Sequence, residues 1–140
     1  MKRKKKKIAV GALALAVAGV LAGSAFGHSP KTVTIRHQMR GCHSWSFAGG
    51  AYNASLKVKL DRDTALVFVD NDVMSHKLVL LFGPKVSLTT PSMRQMGAKA
   101  VAIFHKAGLY KFTTKPGEDY MKGMKTIGPD NVLRLTVVVS

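Results

Sequence analysis

Thr64-Ala-Leu-Val-Phe-Val-Asp70-Asn-Asp72-Val-Met74-Ser-His76-Lys-Leu-Val-Leu80 reads as two strands and the turn between them. Thr64 to Val69 is a nearly continuous apolar run, which suits a strand covered on both faces. Asp70-Asn71-Asp72 breaks it, because short acidic and amide side chains bond back to their own backbone and hold turns. His76 then opens a second run, Lys77 to Phe82, stopped by Gly83-Pro84.

Outward from this pair the same grammar repeats. Upstream, Leu56 to Leu60 alternates, with Asp61-Arg62-Asp63 as its turn, and Thr32 to Gln38 alternates with Val33, Ile35 and His37 on one face. Downstream, Lys99 to Phe104 is a strand and Lys106-Ala107-Gly108 turns. Leu109 to Thr114 alternates again, Pro116-Gly117 ends it, and Asn131 to Val139 is the final strand. Ser87 to Gly97 is the only room for a short helix or an irregular excursion. Short strands with frequent turn signals and no long 3.6-residue period predict an all-β chain. The expected architecture is an antiparallel Greek-key β-sandwich of seven to eight strands.

The N-terminus is a different kind of sequence. Six basic residues, 2–7, precede an apolar run from Ile8 to Leu21 and the small residues Ala22-Gly23-Ser24-Ala25. That order is the pattern of a secretory signal, and the run is short against the roughly 20 residues of a spanning helix. The expected organisation is a signal peptide over 1–25, cleaved after Ala25, and one domain over 26–140. An uncleaved N-terminal anchor is the alternative. The protein is expected to be periplasmic or secreted. Without residues 2–7, the 22 basic side chains become 16 against 7 acids, a net charge of +9. In an exported chain without interleaved aromatics this argues against nucleic acid and for solubility or adhesion to the cell envelope.

Cys42 is the only cysteine, so no internal disulfide is available to an exported domain. A lone exported thiol pairs between molecules, stays reactive or is held by a metal. His37, Met39, Cys42 and His43 crowd into seven positions, and His76 follows the acidic turn. Thiolate, thioether and imidazole together suit copper, whereas zinc takes only the Cys and His. Asp70-Asn71-Asp72 lacks calcium-loop spacing. No Gly-x-Ser-x-Gly elbow, dinucleotide fingerprint or P-loop is present. Glu118 and Asp119 are adjacent, which on a strand sends them to opposite faces. An enzyme is therefore not expected.

The strand, acidic turn and His76 together resemble the cupredoxins, in which a histidine opening that strand is a copper ligand. The tail Ala107-Gly-Leu-Tyr-Lys-Phe-Thr113-Thr-Lys-Pro-Gly-Glu118-Asp-Tyr-Met121-Lys-Gly-Met124 is similar to the family's Gly-x-Tyr-x-Phe-Cys…Pro-Gly-His…Gly-Met ligand loop. The resemblance covers about residues 54–140. It departs where the chemistry lies: Thr113 stands for the cysteine and Glu118 for the second histidine, leaving Met121 or Met124. Either the fold has lost its metal, or the thiolate comes from elsewhere. In the family, the loop after the first strand lies at the copper end, and here that loop is Met39-Arg-Gly-Cys42-His43-Ser-Trp45.

The resemblance thus implies copper at an atypical site. Cys42 and His76 are its leading ligands, with His43, His37, Met121 and Glu118 as candidates for the rest. Cys42 and His43 are not expected to bind together from a purely extended segment, since neighbours point opposite ways. Asp70, Asn71 or Asp72 is expected to fix the turn or to orient His76, and Trp45 to fill the core. The expected role is single-electron transfer or copper binding and delivery by a monomer, with a redox or copper-exchange protein as partner. The alternative is a metal-free sandwich that binds a partner at the envelope.

Overall fold

The computed structural model describes residues 27–38, 42–115 and 133–140, with Gln38 and Cys42 described by their backbone alone. Among the described residues, ten strands pack as two five-stranded sheets and there is no helix. The strands are β1 (Lys31–Gln38), β2 (Cys42–Phe47), β3 (Ser55–Leu60), β4 (Ala65–Asp70) and β5 (His76–Phe82). They continue as β6 (Ser87–Thr89), β7 (Ser92–Met93), β8 (Lys99–Ile103), β9 (Gly108–Thr114) and β10 (Arg134–Val139). One sheet runs β2-β1-β4-β8-β6 and the other β3-β10-β9-β5-β7.

The core follows from alternation. Leu66 and Phe68 of β4 face Leu135, Val137 and Val139 of β10 and Tyr110 and Phe112 of β9 across the sandwich, all buried. Within it Phe104 meets Tyr110 edge-on at 4.9 Å, and Phe112 lies within 5.9 Å of Phe68, the tilted geometry aromatic pairs favour. β4 sits between β1 and β8. Its second face is therefore half-covered, which explains the near-continuous apolar run.

Three expectations change. The sheets are mixed rather than antiparallel: β1 pairs β4 in parallel, and β3 pairs β10 in parallel. Turn signals mark where a strand stops, but they do not say which sheet the next strand joins. Here β3 crosses to the second sheet and β4 returns beside β1 in the same direction. The expected loop after the first strand is largely β2, because His43, Ser44, Trp45 and Ser46 are all buried and leave no polar-apolar alternation to read. Ser87 to Gly97 holds two short strands, β6 and β7, that step from one sheet to the other. Trp45 is in the core as expected. The signal segment lies outside the described residues.

Candidate metal centre

One end of the sandwich gathers polar side chains where a core would normally be apolar. β1 and β2 form a hairpin in which His37 lies directly opposite His43. β4 ends at Asp70, tied down by three backbone bonds: Asp70 N to Ala98 O at 2.9 Å, Asn71 N to Ile35 O at 2.8 Å and Gly97 N to Asp70 O at 2.6 Å. The acidic turn then builds itself. The Asp72 amide donates to Asp70 Oδ1 at 3.0 Å, and the Met74 amide donates to Asp72 Oδ1 at 3.3 Å. Those bonds leave Asp72 Oδ2 aimed at two imidazoles, 3.1 Å from His76 Nε2 and 3.5 Å from His43 Nε2.

The arrangement brings four functional side chains from three places in the chain together. The His43 ring stands edge-on to His76 at 4.8 Å and tilted to His37 at 5.6 Å. One ligand atom each from His37, His43 and Asp72 falls within a 4.8 Å span. Asp72, His43 and His76 are buried, and His37 is on the exposed rim.

Burial lowers the His43 pKa to about 4, the neighbouring His76 ring adding to the shift and Asp72 opposing it. Burial also lowers that of His76, against its hydrogen bond to Asp72. Both rings are therefore neutral near pH 7 and offer lone pairs. Among the described residues, a buried carboxylate beside two neutral imidazoles is a donor set short of positive charge, and burying such a charge is costly unless it is paired. A divalent cation would supply that charge. Imidazole with carboxylate suits zinc or Cu(II), and among divalent ions of this row Cu(II) binds such donors most tightly. The residues fit copper.

Of the expected site residues, the structure brings His76, His43 and His37 together. Cys42 starts β2, next to His43 and opposite Gln38, and its side chain lies outside the described residues. Glu118 and Met121 also lie outside them. The segment that holds those two leaves β9 after Thr114, which is opposite Leu78, two positions from His76. It rejoins at Leu133, whose carbonyl accepts from Thr113 Oγ1 at 2.6 Å. Asp72 was readable as a turn former and as an orienter of His76. Its reach to His43 was not, because that depends on how the two sheets close.

No protein-family model and no curated protein matches this chain in sequence. Among solved structures the fold is similar to a purple cupredoxin from Nitrosopumilus maritimus. That protein is 17% identical over 78% of this chain and 98% of the other, with a TM-score of 0.43. Amicyanin from Paracoccus versutus is 16% identical over 78% and 81%, with a TM-score of 0.38. A multi-copper oxidase from Pseudomonas thermotolerans is 12% identical over 80% of this chain and 29% of its own, with a TM-score of 0.43. At these values none of them carries its site chemistry to this chain.

Proposed function

We infer that this is an exported copper-binding protein that carries single electrons. The observation that carries the reading is the buried Asp72 carboxylate held between the neutral imidazoles of His43 and His76. His43, His76 and Asp72 hold the metal, and His37 closes the site at the rim. Bound there, copper supplies a one-electron couple between Cu(II) and Cu(I). The protein contributes rigidity: the ligands stand on strands of both sheets, and the acidic turn is fixed by its own backbone bonds. A rigid donor set reorganises little when charge changes. The sequence resemblance at His76 supports the same metal, and the basic N-terminal pattern supports export.

Cys42, adjacent to His43, is the candidate for a soft ligand, with Glu118 and Met121 as candidates for closing the site. A second reading, copper delivery, draws on the exposed position of His37, a ligand that an exchanging partner reaches first.

The experiment is to load the protein with Cu(II), dialyse it, and record bound copper and the visible spectrum beside Cys42→Ser. One retained copper per chain supports the reading. A strong thiolate-to-copper band that disappears in Cys42→Ser makes Cys42 a ligand, and only weak bands in both proteins leave a site of imidazole and carboxylate. Copper lost on dialysis from the parent protein sinks the reading and favours the metal-free envelope-binding sandwich.

A further inference from the structure

The end of the sandwich opposite the histidines breaks the burial rule in the other direction. β5 pairs Leu80 with Phe112 and then Phe82 with Lys111, so its register skips at Leu81. That skip is a β-bulge, a device that re-aims side chains at a strand end. Strict alternation would turn one of Leu81 and Phe82 inward. With the bulge both stand in solvent, 63% and 58% exposed.

They do not stand alone. Leu81, Phe82 and Leu109 line one apolar hollow together with Gly83, Pro84 and Gly108. Gly83 (φ +127°) is required for its shape, since a Cβ there would lie 2.8 Å from the Leu109 carbonyl and 2.9 Å from the Tyr110 ring. Three exposed lysines lie within two residues of its lining in the sequence. Lys111 Nζ lies 5.9 Å from the Phe82 ring centre, Lys85 follows Pro84 and Lys106 is two residues before Gly108. The two carboxylates of the β3–β4 turn at this end, Asp61 and Asp63, lie against His28 at 4.0 Å and His105 at 2.8 Å.

β1 starts at this same end, with Lys31 opposite Leu66 near the start of β4. The chain upstream of Gly27, with its apolar run 8–21 and basic run 2–7, therefore joins the domain here.

We propose that this end is a membrane-docking face, with Leu81, Phe82 and Leu109 entering the boundary of an anionic bilayer and Lys85, Lys106 and Lys111 meeting its headgroups. Exposed apolar side chains ringed by cations have the chemistry of such a boundary, apolar below and negative above. A second copy of the chain is a poor occupant, because it would set lysine against lysine. The face is independent of copper and needs no metal to work.

The test uses the full chain with Phe82→Trp, on vesicles of phosphatidylglycerol and phosphatidylcholine whose acyl chains carry bromine. The native Trp45 is fully buried and serves as the internal control for folding. Side chains that sink roughly 5–10 Å into the interface reach the brominated region, so the introduced indole is expected to lose emission about two-fold and shift to the blue, while the parent protein does not change. Neutralising the three lysines in that background is expected to weaken vesicle binding of this face roughly five-fold per lysine. The N-terminal run is common to all these proteins, so retention on vesicles is not the readout and quenching at position 82 is. Equal emission on brominated and unbrominated vesicles overturns the proposal. Quenching on purely neutral vesicles that the lysine changes leave untouched overturns its electrostatic half.

Discussion

β5 begins with a buried histidine and ends with an exposed phenylalanine. The two ends of the sandwich differ in what they bury, although Val73 and Met96 are exposed at the His76 end as well. At the His76 end the fold hides Asp70, Asp72, His43 and His76. At the Phe82 end it displays Leu81, Phe82 and Leu109. Each choice costs stability by ordinary burial accounting. The difference teaches where function lies: most of the β-sandwich between the ends is conventionally packed, and the titratable groups it buries gather at one tip.

The comparison can be broken most severely at the buried end. His43→Ala and His76→Ala each remove an imidazole from the cluster. Each is expected to lower copper affinity beyond the roughly 10–100-fold seen when only a supporting group is lost. Copper analysis after dialysis checks this, and a variant that retains metal as the parent does removes that residue from the site. Leu81→Ser with Phe82→Ser, at the opposite end, is expected to leave copper binding unchanged.

Acid is the next lever. The unfolded chain titrates His43 at 6.5, whereas the fold holds it to about 4. Between those values the unfolded state binds more protons, so stability rises with pH across the window. The metal-free protein is therefore at full stability above pH 6.5 and loses on the order of 3 kcal/mol from this ring as pH falls toward 4. His76, shifted in the same direction, adds to the loss. Denaturant titrations at several pH values measure it, and His43→Gln should flatten the slope. A metal-free protein equally stable at both ends of the window would mean that these rings are not held neutral.

Asp72→Asn sharpens the contrast further. It keeps an oxygen for the Met74 amide and removes the charge. Copper affinity should fall by roughly 10–100-fold, while the metal-free protein keeps or gains thermal stability, because a buried charge has gone. Loss of stability in the metal-free variant would show that the carboxylate serves the fold first. The smallest effect belongs to the exposed end. The Asp63–His105 pair is solvent-exposed on both sides, so His105→Ala should change stability by less than about 1 kcal/mol and leave copper untouched.

How much of this was legible in the sequence depended on whether one face of a strand meets water. β9 alternates visibly because Leu109 and Lys111 are exposed while Tyr110 and Phe112 are buried. β4 reads as a covered strand because its outward Val67 and Val69 are themselves half-buried. β2 read as a loop because histidine, serine and tryptophan are buried there side by side, and no periodicity survives that. The parallel pairings arise from crossings between sheets, which leave no local mark. His76 and its acidic turn stood out through the resemblance and through turn chemistry. The pairing of His37 with His43 follows from the antiparallel register of β1 with β2, and it is invisible as long as β2 reads as a loop. The meeting of Asp72 with His43 joins the β4–β5 turn to the β1–β2 hairpin, and no spacing in the sequence reports it.

The length of β5 has a consequence for the metal. Its seven residues separate His76 from Phe82 by about 20 Å at the rise of an extended strand. The Debye length at physiological ionic strength is about 8 Å. With its far end on a charged bilayer, the protein would hold its copper more than two screening lengths away. The lipid surface potential would have decayed before reaching it, and the same copper would work at the same potential on membranes of different charge.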